Sequence, residues 1–346
     1  MSLSLEKLPI QPILLSLIKL FLMPVLTRIR KPVEKEMADF ETYFSRTMRS
    51  NIPLLNIILN YILRRKGKQM RPLLVFLTAR LHGEITESTY VAATFIELLH
   101  TASLVHDDVV DDASERRGAL SVNALWNSKI AVLVGDYMLS KGMLISVEKK
   151  RFDMLEIISG AVRSMSEGEL LQLQKSRKLN IKEEDYFRII TSKTAALISA
   201  CTACGARSVT EDPSTVNLMK EFGENIGIAF QIRDDILDYE ATGLTGKIAG
   251  NDIKEKKITL PLIHALEHAT AGDKRRILNI IRSKHKTKAE IVEVIRFVTG
   301  NGGLEFSERK MNEYRDKAVA ALSSYPQSDV RDSLTEFVNY TTSRKK

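Results

Sequence analysis

Residues 89–112 read TYVAATFIELLHTASLVHDDVVDD, and the period of this stretch decides the fold class. Apolar residues recur at three- and four-residue spacing along it, as one face of a helix requires, and no run alternates as a strand would. The same period returns in MLEIISGAVRSMSEGELLQLQ (154–174), EDYFRIITSKTAALISACTACG (184–205) and VNLMKEFGENIGIAFQIRDDILDY (216–239). The chain is therefore expected to be all-α. Pro and Gly punctuate between the helical segments near Gly83, Gly118, Pro213, Gly243 to Gly250 and Gly300 to Gly303, and no stretch is polar enough for a linker. One large helical domain over 37–346 is expected, its helices wrapped as a bundle with sites built from facing side chains.

Residues 1–36 read differently. Leu8 to Leu26 is apolar but interrupted by Pro9, Pro12, Lys19 and Pro24, and it is followed by Arg28, Arg30 and Lys31. That is too broken for a membrane span and has its charges on the wrong side for a signal peptide. An interfacial amphipathic helix and a helix packed on the body remain open readings. The 346-residue chain carries a formal charge of +8, which admits nucleic acid, anionic lipid or phosphorylated small molecules as partners. Its two cysteines, Cys201 and Cys204, lie in the small-residue run ACTACGA and read as buried helix residues in a reducing cytoplasm.

The acidic end of the opening stretch carries the chemistry. On a continuing helix Asp107 and Asp111 share one face, and Asp108 and Asp112 form a second pair. Two such charges 4 Å apart repel by about 4 kcal/mol at an effective dielectric near 20, so either water or a divalent cation must offset them. DDILD at 234–238 repeats the geometry with Asp234 and Asp238 on one face and Asp235 beside them. Two walls of hard oxygen ligands suit Mg²⁺, which keeps several waters and shares a few carboxylates with substrate phosphates. Cations that hold phosphate accompany them: Lys68 and Arg71 in GKQMRP (67–72), Arg116 and Arg117, Lys193 beside Thr194, and Lys247 and Lys257. Neither a Ser/His/Asp nor a Cys/His constellation appears.

GKQMRP, ELLHTASLVHDDVVDDASERRG, AVLVGDYML, SEGELLQ, KTAAL, GIAFQIRDDILDY and GNDIKEKKITLPLI stand in the order and near the spacing of the trans-polyprenyl diphosphate synthases, from about residue 40 onward. The chain resembles that family. Its tail, YPQSDVRDSLTEFVNYTTSR, is similar to that of medium- and long-chain members such as octaprenyl diphosphate synthases. The resemblance implies an isoprenoid-synthase helical bundle with a central cavity, a homodimer, and a Mg²⁺-dependent prenyltransferase that uses three ions per site. It assigns Gly67, Lys68, Arg71, His100 and Arg117 to isopentenyl diphosphate. Asp107, Asp111 and Asp234 would hold metal, with Asp108, Asp235 and Asp238 in support. Arg116, Lys193, Thr194, Gln231, Lys247 and Lys257 would meet the allylic diphosphate. Two positions depart from the pattern: Asp112 doubles the last aspartate of the first motif, and Lys256 stands where the family often has Gly. His106 lacks the helical phase of His100 and reads as structural.

The resemblance also bears on product length. In the family, bulky aromatics at the positions of Ala102 and Ser103 form a floor that stops elongation early. Both residues here are small, so a medium- to long-chain product of about C35 to C50 is expected, as for a quinone side chain. A C15 or C20 synthase and a non-catalytic partner subunit are the alternatives, and the latter would be expected to lose acidic residues that this chain keeps. A basic helical nucleic-acid-binding protein would leave the paired aspartates unexplained.

Overall fold

The computed structural model describes residues 24–65, 67–116, 118–240 and 250–344. These are overwhelmingly helical. The chain runs through α1 (Val25–Arg30), α2 (Glu34–Thr47), α3 (Pro53–Arg64), α4 (Met70–His82) and α5 (Glu87–Val110) into a two-residue-per-strand hairpin that pairs β1 (Glu115–Arg116) with β2 (Ala119–Leu120). Then follow α6 (Val122–Trp126), α7 (Ser128–Glu148), α8 (Phe152–Lys178) and α9 (Glu183–Ile190). A π-helical turn, Thr191–Ala195, joins α9 to α10 (Ala196–Arg207), and α11 (Pro213–Glu240) is the longest helix described. The C-terminal part comprises α12 (Asn251–Lys254), α13 (Leu260–Glu267), α14 (Ala271–Arg282), α15 (Lys288–Gly300), α16 (Gly303–Ala321) and α17 (Asp329–Ser343).

Burial follows from composition. In α4, Leu73 to Leu77 are sealed on every side, and α5 buries Ala92, Ala93, Phe95, Ile96, Leu98 and Leu99. A helix apolar all round belongs in the middle of a bundle. These two and α10 form one core, which also takes in Phe40, Phe44, Cys201, Cys204 and Phe222. A second core gathers the far half of α11 (Ile228, Ala229, Ile232, Ile236, Tyr239) with α13, α14 and α15. Because α11 runs through both cores, it fixes the second acidic motif relative to the first.

Val25 to Glu36 form part of the body. Ile29 and Val33 are buried in the same core as Met37 and Phe40, Arg28 pairs with Glu336, and Arg30 donates to the Lys68 carbonyl. The 36/37 boundary falls inside α2. Residues 1–23, which carry most of the apolar N-terminal segment, lie outside the described residues. Cys201 and Cys204 are buried and unbridged, as their small-residue surroundings suggested, and burial pushes the Cys201 thiol up to about 12.

Candidate active site

The first acidic motif sits where α5 ends. Thr86 and Thr89 cap the start of that helix reciprocally, and the helix stops at Val110 with Asp111 as its C-cap. Asp112 then turns left-handed, with φ 50°, a conformation Asp tolerates better than most residues. The expected Asp108–Asp112 helical pair therefore does not form, because the helix is over before the second member. Asp107, Asp111 and Asp112 are exposed. Asp108 is buried and accepts a 2.6 Å bond from Arg116, which the β1–β2 hairpin folds back onto it. Arg116 thus meets the first motif's own carboxylate. Arg117 lies outside the described residues.

The second motif is held more tightly. Asp235 is buried and accepts from the Tyr186 hydroxyl at 2.6 Å and from the Gln231 amide at 2.9 Å. Burial, and then the charge of Asp252, push its carboxyl up to about 8. Asp238 is also buried and accepts from the backbone N–H groups of Asn251 (3.2 Å) and Asp252 (3.0 Å), so it caps α12. Asp234 alone remains half-exposed and pairs at 2.8 Å with Arg344, just past α17. Asp252, which the motif reading passed over, is brought to the same wall. Burial first, and Asp238 second, raise its carboxyl to about 6. The signal that could have found it is the aspartate near the start of GNDIKEKK, a segment whose lysines alone were given roles above.

Lys193 and Thr194 occupy the π turn, which replaces a regular helical step and re-aims both side chains. Two glycines clamp that turn. A Cβ at Gly168 would meet Ser192 Cβ at 2.8 Å, and one at Gly227 would meet Ala195 Cα at 2.4 Å. Lys193 pairs with Glu169 and reaches Gln172 at 3.3 Å, while Thr194 donates to the Gln231 carbonyl at 2.8 Å. Lys193, Thr194, Gln231, Asp235, Asp252 and Lys257 line one cleft with ≈ 250 Å³ of water-accessible room. Glu169 and Gln172 were likewise not singled out individually in the sequence.

Electrostatics show that the two walls face each other. Partial desolvation raises the Asp107 carboxyl, and the strongest charge opposing that rise is Lys193. Burial works to lower the Lys257 amine, but its bond with Glu255 and the charges of Asp252 and Asp111 hold it above its ordinary value. Lys257 therefore feels a carboxylate from each wall, Asp111 of the first motif and Asp252 beside the second. Lys256 before it has φ 61°, the left-handed backbone that glycine adopts freely, so the departure noted in the sequence leaves the turn and Lys257 in place. Lys247 lies outside the described residues.

A second cleft, with ≈ 330 Å³ of room, gathers Gly67, Lys68, Arg71 and His100 with Glu97, Phe230, Tyr340 and Arg344. Lys68 and Arg71 do not share a helix face as expected: α4 starts at Met70, and Gln69 before it is left-handed at φ 51°. The turn nevertheless delivers both cations to one cleft, where Lys68 bonds the Tyr340 hydroxyl at 3.0 Å. His106 stands apart against α7, 3.2 Å from the Val132 carbonyl oxygen. Ala102 is fully buried, and Ser103 turns its hydroxyl back to the His100 carbonyl.

Among the described residues, no group of three or more His, Cys, Asp or Glu side chains is already gathered into a metal cage. The donor set still fits Mg²⁺. It offers hard carboxylate oxygens on two facing walls, with Asp107, Asp235 and Asp252 raised chiefly by burial, and a cation that keeps its waters and shares phosphate oxygens needs only a few of them.

A family model described as polyprenyl synthetase matches residues 52–298. Octaprenyl diphosphate synthase of Escherichia coli (strain K12) is 34% identical over 310 residues, covering 89% of this chain and 96% of that protein. The crystal structure of a polyprenyl synthase from Caulobacter crescentus CB15, complexed with calcium and isoprenyl diphosphate, superposes with a TM-score of 0.85 at 34% identity, covering 93% of this chain and 98% of the other. A geranylgeranyl pyrophosphate synthase from Bacteroides thetaiotaomicron does so with a TM-score of 0.80 at 37% identity, covering 93% and 100%.

Proposed function

The chain belongs to the polyprenyl synthetase family, and from that we propose that it condenses isopentenyl diphosphate head to tail with an allylic diphosphate to give a medium- to long-chain all-trans polyprenyl diphosphate. The observation that carries this reading is the separation of the cations into two clefts beside two acidic walls. Lys68, Arg71 and His100 share one, which suits a diphosphate that stays attached. Lys193 and Lys257 share the other with Asp235 and Asp252, which suits a diphosphate that leaves. Asp107, Asp111 and Asp234 would hold Mg²⁺, three ions by family resemblance, with Asp252 added on geometric grounds; bound there, the metal would neutralise charge developing on the departing diphosphate.

The protein's own groups do the rest. Lys193 and Lys257 orient that diphosphate and stabilise it as its charge grows, which needs no protein nucleophile. The isopentenyl double bond then attacks the allylic cation, and the departing diphosphate accepts the proton released. Apolar residues along α5 keep water from the cation. For stopping length, Ala102 and Ser103 present no aromatic floor, and the relative named for an octaprenyl product agrees. The 37% identity to a geranylgeranyl synthase supports the shorter C20 reading as the alternative.

Incubation with Mg²⁺, labelled isopentenyl diphosphate and each of dimethylallyl, geranyl and farnesyl diphosphate, followed by product sizing, tests the proposal. Products of about C35 to C50 are expected. Arrest at C20 with every starter would select the alternative, and Ser103→Phe in an elongating enzyme should shorten the product. That variant is cleaner than Ala102→Tyr, because Ala102 is fully enclosed and a ring there overpacks the core.

A homodimer is part of the same proposal. Val132, Leu133, Met143, Leu144 and Val147 form an exposed apolar stripe on α7, and Leu170 and Leu173 extend the exposed apolar surface on α8. A second copy of the chain is the occupant expected, and sedimentation of Leu133→Glu against the parent checks it. A cytoplasmic setting fits the unbridged cysteines. Peripheral membrane contact through the apolar residues of segment 1–36 that precede the packed residues 25–36 would show as weakened vesicle binding after deletion of residues 1–23.

A further inference from the structure

We propose that Tyr186 is a positioning residue for the departing-diphosphate side of the site, acting through Asp235 and Gln231 on Thr194. It lines that cleft itself and touches none of the cleft's cations by hydrogen bond, yet it starts a chain that ends on Thr194. Its hydroxyl donates to Asp235 Oδ2 at 2.6 Å, and Asp235 Oδ1 accepts from Gln231 Nε2 at 2.9 Å. Gln231 Oε1 in turn accepts from Thr194 Oγ1 at 2.8 Å.

The polarity of this chain follows from what each group can do. Tyr186 donates to one Asp235 oxygen and the Gln231 amide N–H to the other, which turns the Gln231 carbonyl toward Thr194. The Thr194 proton is then committed to Gln231. The Thr194 oxygen turns lone pairs to the cleft it lines, which can accept from an ammonium or a water but not bond a diphosphate oxygen, so what the chain sets is the position of the π turn that also carries Lys193. Tyr186 holds the far end of the chain from α9, and α9 leads directly into the π turn that carries Lys193 and Thr194. One residue thus ties the second acidic motif to the turn that faces the first.

The hydroxyl is a costly choice for packing alone. Tyr186 is buried, with its ring edge-on to Phe187 at 5.4 Å, and Phe would fill the same space. A buried hydroxyl requires a partner, and its partner here is a carboxylate of the acidic motif.

The inference rests on the prenyltransferase reading, so wild-type incorporation of labelled isopentenyl diphosphate with Mg²⁺ and an allylic starter is measured first. A wild type that condenses nothing overturns that reading, and this inference with it. With an active wild type, Tyr186→Phe should lower kcat about tenfold, the size of one lost charge-assisted hydrogen bond. The KM for isopentenyl diphosphate should stay within about twofold, because Lys68, Arg71 and His100 occupy the other cleft. Gln231→Leu cuts the chain one link further on and should also lower kcat. Adding Tyr186→Phe to it should then cost nothing more. Unchanged kcat in Tyr186→Phe overturns the proposal, as does a double variant whose losses multiply. If Tyr186→Phe does not fold, Gln231→Leu with wild-type kcat overturns it independently.

Discussion

Three of the four aspartates of the first acidic motif are exposed beyond or beside the last turn of α5, whereas two of the three in the second are buried and hydrogen-bonded within α11. In sequence the two look like copies. In the fold, the first is a helix end that spills carboxylates toward the cleft, and the second is largely scaffolding: Asp238 caps α12, Asp235 anchors Gln231 and Tyr186, and only Asp234 is left open, resting on Arg344. The difference teaches that paired aspartates need not share a task. In the proposed site one wall would supply ligands, and the other a ligand together with the framework that holds the π turn and α12 beside the lysines.

The comparison is tested first where the walls should agree. Asp107→Ala and Asp234→Ala should each lower Mg²⁺-dependent kcat by about a hundredfold or more, because each removes a proposed ligand of the Mg²⁺ that would balance charge developing on the departing diphosphate. Near-normal turnover in either would remove that wall from the site. Stability should not fall with activity: Asp107→Ala relieves the mutual charge of Asp107, Glu169 and Asp111, so thermal unfolding without metal should hold or rise.

Stability is where the walls should differ. Asp238→Ala leaves two N–H groups at the start of α12 without their acceptor and should cost about 1–2 kcal/mol in urea unfolding. Asp111→Ala, at an exposed helix end, should cost less than about 0.5 kcal/mol. Equal losses would mean that the second motif is no more structural than the first.

The third test is pH. Asp235 and Asp252 are raised to about 8 and about 6 from an ordinary 3.8, burial being the main cause of each. The folded, metal-free protein therefore keeps protons that the unfolded chain releases. Its stability should decline as pH rises through the window from about 4 to about 8, opposite to the trend of a salt-bridged carboxylate. Asp252→Asn should flatten the slope, and a melting temperature that climbs with pH across this window, after subtraction of the Asp252→Asn profile, would contradict the burial of this wall.

The smallest effect concerns the turn carrying Lys257. Lys256 holds a left-handed backbone at φ 61°, so Lys256→Gly should stabilise by about 0.5–1 kcal/mol and leave kcat unchanged. Destabilisation would show that the Lys256 side chain contributes more than its backbone strain removes.

The helical period of residues 89–112 made the fold class readable in advance, and the spacing of the two motifs marked where the carboxylates gather, because helix burial and paired charges both write residue types at fixed intervals. What could not be read were the places where the period stops. Asp112 looks like a helical partner of Asp108 until α5 ends two residues before it, and Lys68 looks helical until Gln69 turns left-handed. Tyr186 and Asp252 were hidden for a different reason. Each gains its meaning from a partner on another element, Tyr186 49 residues from Asp235 and Asp252 14 residues from Asp238, and no local spacing records such a meeting.

In the proposed site the two walls close on one cation–diphosphate cluster and do not bind metal independently. Calorimetric titration of Mg²⁺ into the wild type, Asp107→Ala and Asp234→Ala, each with and without inorganic diphosphate, tests this most directly. Weak binding of Mg²⁺ alone is expected, with diphosphate strengthening it in the wild type and either substitution abolishing that gain. Tight Mg²⁺ binding without diphosphate, or a gain that survives in one of the two variants, would contradict a site shared between the walls.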